Sequence, residues 1–138
     1  MKIHSTNYYN TFITISDDST AVCGEMPPTK DDKTVASMQW EMIINHPYKY
    51  TSDDIVFEIF ALRNDIIPSE RTTERLKYFS KGQPCLRASP LAKRYGWGIH
   101  YNENGQVAIY SRDTIDYEKW CNDPETKVIK AMNSSKKS

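Results

Sequence analysis

The dipeptide Asn104-Gly105, set between two runs of β-forming residues, constrains this fold more than any other feature of the chain. Gly98-Ile99-His100-Tyr101 precedes the segment 102–105, and Gln106-Val107-Ala108-Ile109-Tyr110 follows it. Asn-Gly between apolar strands is the strongest short-range hairpin signal, because both residues accept the positive φ that a tight turn needs. A hairpin joins antiparallel neighbours, so the sheet cannot be purely parallel.

The other elements arrange themselves around that hairpin. Thr11-Phe12-Ile13-Thr14-Ile15 is β-branched and short, and reads as a strand ended by Asp17-Asp18. Residues 19–33, with Pro27-Pro28, read as an extended arm. Thr34 caps a helix to about Asn45, with Val35, Met38, Gln39, Met42 and Ile43 at helical spacing. Trp40 and Ile44 widen the stripe, as suits a helix lying on a sheet, and Pro47 ends it. The run 55–61 reads as a buried strand, with a helix capped by Ser52 or Asp53 as the alternative. Ser69 opens a helix that carries Leu76 and Phe79 on one face, with Gly82 at its C-terminal cap. Residues 83–98 read as irregular, broken by Pro84, Pro90, Gly96 and Gly98. Asp113 caps a last helix presenting Tyr117, Trp120 and Cys121, and 126–132 alternates as a final strand.

The resulting order is β-α-β-α-β-β-α-β. It predicts an α+β fold with a mainly antiparallel sheet and helices on one face. At 138 residues the chain suits a single domain, placed at 1–132, with a polar and frayed tail at 133–138.

Composition narrows the function classes. The opening segment has no apolar core of a secretory signal, and no run is long enough to span a membrane. The expected location is the cytoplasm. Cys23, Cys85 and Cys121 are odd in number and lack CxxC spacing, and His4, His46 and His100 lack ligand spacing. Neither a metal nor a cofactor is expected, and phosphate-loop, dinucleotide and zinc-protease motifs are absent. The doublets Asp17-Asp18, Asp31-Asp32 and Asp53-Asp54 suit turns and caps better than a cation site.

Charge is segregated. Residues 1–70 carry five basic and eleven acidic side chains, whereas 71–138 carry thirteen and seven. The stretch 75–102 holds Arg75, Lys77, Lys81, Arg87, Lys93 and Arg94 and no acid, interleaved with Tyr78, Phe79, Tyr95, Trp97 and Tyr101. The first three fit the solvated face of a helix, paired with acids from the first half. Arg87, Ser89, Lys93, Arg94, Tyr95, Trp97 and His100 form the candidate site. There guanidinium forks would hold a carboxylate or phosphate against an aromatic wall. Trp97 is expected to be mostly buried, its N–H bonded, facing a pocket shared with Arg87 and Arg94.

The segments His4-Ser5-Thr6-Asn7-Tyr8-Tyr9-Asn10-Thr11-Phe12-Ile13, Tyr48–Asp54, Ser80-Lys81-Gly82-Gln83-Pro84-Cys85-Leu86-Arg87-Ala88-Ser89-Pro90-Leu91 and Lys93-Arg94-Tyr95-Gly96-Trp97-Gly98 carry a resemblance. With Val128-Ile129-Lys130-Ala131-Met132, they resemble a family of small, mostly bacterial uncharacterised proteins, a domain of unknown function. The resemblance implies one domain and no activity. Three readings therefore stand on the residues themselves. The first is a domain binding a small anionic ligand through 83–101. The second is a small enzyme using His100 as base or Cys85 as nucleophile. The third and weakest is a nucleic-acid binder, since net charge is zero.

Overall fold

The computed structural model describes residues 2–29 and 33–134. Asp31-Asp32 and most of the expected tail therefore lie outside the described residues. The fold is a single α+β domain built on a four-stranded mixed sheet ordered β3-β2-β1-β4. The strands are β1 (Thr11–Thr14), β2 (Trp97–Tyr101), β3 (Val107–Ser111) and β4 (Lys127–Lys130).

The hairpin forms, with Gly105 alone of the dipeptide in the left-handed region. β2 and β3 pair antiparallel with Tyr101 opposite Val107, and Gly105 takes φ +78. β1 pairs antiparallel with β2, placing Phe12 opposite His100. β4 pairs parallel with β1, so the antiparallel expectation holds for two of the three pairings.

Period-two alternation then divides the sheet. Ile13, Ile99, Tyr101, Val107 and Ile109 enter the main core, together with Ile43, Ile55, Ile59, Leu86 and Leu91. These last residues belong to α1 (Val35–Asn45), α2 (Ser52–Arg63) and the segment 86–93. The opposite face carries Phe12 against Tyr117 of α5 (Ile115–Asn122), its ring 5.1 Å away edge to face. The helices thus do not share one face, because Phe12 and Ile13 point apart and both need cover.

Four segments differ from the sequence expectation. Residues 55–61 lie inside α2 rather than in a strand. Thr51, not Ser52 or Asp53, is the N-cap and forms a reciprocal capping box with Asp54. Asp53 instead accepts hydrogen bonds from Thr6 N–H, Thr6 Oγ1 and Ser5 Oγ, which ties the N-terminal segment to α2.

The next helix opens with a 3₁₀ turn at Pro68–Glu70 and continues as α3 (Arg71–Phe79). Ser69 does not cap it; Phe79 is buried and Leu76 is exposed. The helix ends at Ser80, and Gly82 is not left-handed. The segment 83–98 is more ordered than its prolines suggest, with a 3₁₀ turn at Leu86–Ala88 and the short α4 at Pro90–Lys93. Ser89 caps α4 by accepting the Leu91 N–H, and Pro90 occupies the first turn, where no N–H is needed. Thr114, rather than Asp113, caps α5. The observed order is β1-α1-α2-α3-α4-β2-β3-α5-β4 with the two 3₁₀ turns.

Of the three charges expected to solvate a helix, Arg75 and Lys77 form ion pairs. Arg75 meets Asp54 at 3.0 Å, Arg71 meets Glu58, and Lys77 meets Glu74 at 3.5 Å. Within the basic run, Arg75 is thereby offset by an acid of the first half and Lys77 by one of its own half.

Candidate functional site

A cleft of about 360 Å³ opens between α1, α2 and the segment 84–90. That is near the lower end of small-molecule sites. One wall is the α2 face Val56, Ile59, Phe60 and Arg63, which recur at helical spacing. The facing wall is Pro84, Leu86, Ala88 and Pro90, with Tyr78 and Cys85 beside it. Val35 and Gln39 of α1 close the base.

Ser89 and Gln39 are the buried polar pair of this cleft. Ser89 Oγ donates to Gln39 Oε1 at 2.5 Å, and both residues are under a tenth exposed. Arg63 is the one charged side chain in the lining, and no Asp or Glu contributes to it among the described residues. Burial, then the Asp53 charge, raises the Tyr78 phenol above its ordinary value, so it stays a neutral donor. Cys85 Sγ lies 3.4 Å from Tyr8 Oη. Burial and the Cys85 contact raise the Tyr8 phenol in turn, with the Arg87 charge acting the other way.

Of the seven candidate residues, Ser89 lies in the cleft. Arg87 stands beside it, but its Nε donates to Lys130 O at 2.9 Å while Met132 N–H donates to Arg87 O at 2.9 Å. This reciprocal clasp secures β4. Beyond Ser89 the chain passes through α4 and turns away. Lys93 O accepts from Ser16 Oγ, Tyr95 O accepts from Glu25 N–H, and Arg94 is exposed. Trp97 is half-buried, and its indole N–H donates to Glu25 O at 2.8 Å. A Cβ on Gly24 would come within 2.7 Å of that indole, so Trp97 packs against the arm. Neither it nor Arg87 or Arg94 lines the cleft. Trp97→Ala should therefore cost about 2 kcal/mol, less than a fully buried tryptophan, as read from the urea midpoint.

His100 is not part of this group. Pairing with Phe12 puts it on the α5 face of the sheet, away from Cys85, so the two cannot share a reaction. Tyr48 Oη lies 2.9 Å from His100 Nδ1 and 2.7 Å from Tyr110 Oη, and Trp120 stacks on the imidazole at 3.6 Å. Burial lowers the His100 pKa to about 4, with a smaller opposing effect from Asp123.

Residues 3–137 match the model of a family described as a family of unknown function, DUF6157. The chain belongs to this family. No curated protein and no solved structure matches this DUF6157 member. Among its described residues no cluster of His, Cys, Asp or Glu could hold a metal ion, and no helix is long and apolar enough to cross a membrane.

The residues that sequence reasoning missed are Gln39, Val56, Phe60, Arg63 and Tyr78. Their signal was present in the i, i+3, i+4, i+7 spacing of Val56, Ile59, Phe60 and Arg63. It is invisible once 55–61 is read as a strand.

Proposed function

We propose that this protein binds a small molecule with an apolar body and one anionic end in the cleft between α1, α2 and 84–90. The observation that carries the reading is the lining itself: an apolar pocket whose one charged side chain is Arg63. A guanidinium at a pocket rim favours a carboxylate or phosphate, while Val56, Ile59, Phe60 and Leu86 suit a hydrocarbon or ring.

The C-terminus of α2 opposes an anion, since unpaired carbonyls carry negative partial charge. Here two of the last four carbonyls are answered. Asn64 N–H and Nδ2 donate to Phe60 O, and Ile66 N–H donates to Ala61 O. Arg63 therefore meets a muted dipole.

The same geometry argues against nucleic acid. Arg75 and Lys77 are engaged by acids and Arg87 by a backbone carbonyl, so half of the six basic side chains of the run are already committed. Three free cysteines agree with a reducing compartment, and the cytoplasm is the location that fits this reading.

Thermal unfolding tests the proposal. Octanoate and phenylacetate should raise the melting temperature by several degrees, and octanol and phenylacetamide should raise it less. Arg63→Ala should weaken carboxylate binding by about tenfold or more, the usual worth of a charge-assisted hydrogen bond. Ala88→Trp, which fills the cleft, should remove the response. An equal response of wild type and both variants would refute the assignment.

A further inference from the structure

A second cavity, of about 530 Å³, lies on the opposite side of the sheet between β3 and α5. Its walls are Tyr110 of β3 and Trp120 of α5, and its charged groups are Asp116, Lys119 and Asp123. The two rings stand at 59° with centroids 6.2 Å apart, forming an open aromatic corner.

The corner is held in place from behind. His100 covers one face of Trp120, with ring centroids 3.6 Å apart and planes 17° from parallel. The surface left to the cavity is the other face or an edge of the indole. Tyr110 Oη is tied to Tyr48 Oη, and Tyr48 to His100 Nδ1. Both walls are thus anchored to one buried imidazole. That ring is neutral at physiological pH because burial lowers its pKa to about 4. It therefore places no positive charge behind the tryptophan.

Aromatic faces carry negative quadrupole density and attract cations, most strongly where the cation sheds little hydration. Asp116 adds a full negative charge from an exposed position on α5. Asp123 is already bonded to Thr126 Oγ1 and Glu125 N–H, which lowers its pKa and keeps it ionised. Lys119 lies three residues after Asp116 on the same helix and opposes a cation.

We propose that this cavity binds a small organic cation, a quaternary or methylated ammonium group, against the Trp120–Tyr110 corner with Asp116 as counter-charge. A hard metal ion does not fit, because it needs several converging oxygen ligands and no such cluster of acidic side chains forms among the described residues. An anion does not fit, because carboxylates outnumber the one ammonium in the lining. The site is independent of the anion cleft, on the far face of the sheet.

Choline and its neutral isostere 3,3-dimethylbutanol separate the cation from its shape. In ¹⁵N-resolved NMR, choline should shift the Trp120 indole resonance in a saturable way, and the neutral isostere should not. Assignment by Trp120→Phe identifies the resonance among the three tryptophans. Asp116→Asn should weaken choline binding about threefold, and Lys119→Ala should tighten it by a similar factor, as removal of an exposed charge does. Equal shifts from both compounds, no shift from choline, or weaker binding in Lys119→Ala would each overturn the proposal.

Discussion

Replacing Gly96 by alanine should destabilise the protein by about 3–5 kcal/mol, through left-handed backbone strain and overpacking together. Gly96 holds φ +78, and a Cβ there would sit 2.1 Å from the Cys23 carbonyl oxygen. That oxygen belongs to the backbone of the arm, which is pinned before it by the bond from Arg112 Nη1 to Ala21 O and after it by two more. Gly24 N–H donates to Ser111 Oγ, and Glu25 N–H donates to Tyr95 O. Neither partner can move without breaking a hydrogen bond. Gly82→Ala is the control, since the nearest atom to its Cβ would be 4.0 Å away and its backbone is ordinary. It should change stability by under about 0.5 kcal/mol. Urea unfolding of both variants checks the pair. Equal midpoints would mean that the arm does not press on Gly96.

The second large effect is a loss of stability in mild acid that belongs to His100. In the folded state its pKa falls to about 4, against about 6.5 for the free side chain. Between those values the unfolded chain binds the proton and the folded chain does not. Stability therefore rises with pH through this window and is lost as pH falls from about 6.5 towards 4. A depression of this size corresponds to up to about 3 kcal/mol. Carboxylates titrate nearby, so the measurement is a difference. His100→Gln keeps a polar side chain near Tyr48 and cannot be protonated. The stability gap between wild type and His100→Gln should shrink by up to about 3 kcal/mol between pH 7 and pH 4. A gap independent of pH would show that the imidazole is not held neutral by the stack of Trp120 and the sheet.

Local chemistry was legible in the sequence and remote pairing was not. The β2–β3 hairpin announces itself because a turn of a few residues decides it. Helix α1 announces itself through Thr34 and a helical stripe. The run 55–61 misleads because Ile, Val and Phe serve a buried helix as readily as a strand. What decides the matter is the capping box of Thr51 and Asp54, just upstream of the run. The parallel seat of β4 beside β1 carries no local signature, since its partner is over a hundred residues away.

The site followed the same rule. Ser89 was found because it sits in a proline-punctuated segment. Arg63 was missed because the face it completes exists only if α2 is a helix. The basic and aromatic residues after Ser89 look contiguous along the chain, yet α4 redirects them. Lys93 and Tyr95 end against 16–25, and His100 ends on the far face. In the sequence Gly96 and Gly98 read as breaks in an irregular segment. They instead make room for Cys23 O and for the rings of Phe12 and Tyr117.

The position of β1 sets the order in which this molecule can be assembled during synthesis. It is an inner strand of the sheet, and both its neighbours come from the distal part of the chain. As the polypeptide emerges, Phe12 and Ile13 leave first and their partners leave last. Until Trp97–Tyr101 appears, β1 has no strand to pair with, and until Lys127–Lys130 appears its second edge stays open. Helices α1, α2 and α3 can form locally in that interval, but the sheet cannot close around them. Such late, long-range pairing slows folding and leaves unpaired edges exposed to neighbouring chains. Ribosome-bound chains that end before residue 127 should therefore remain protease-sensitive, and protection should arrive in one step when β4 is free to dock.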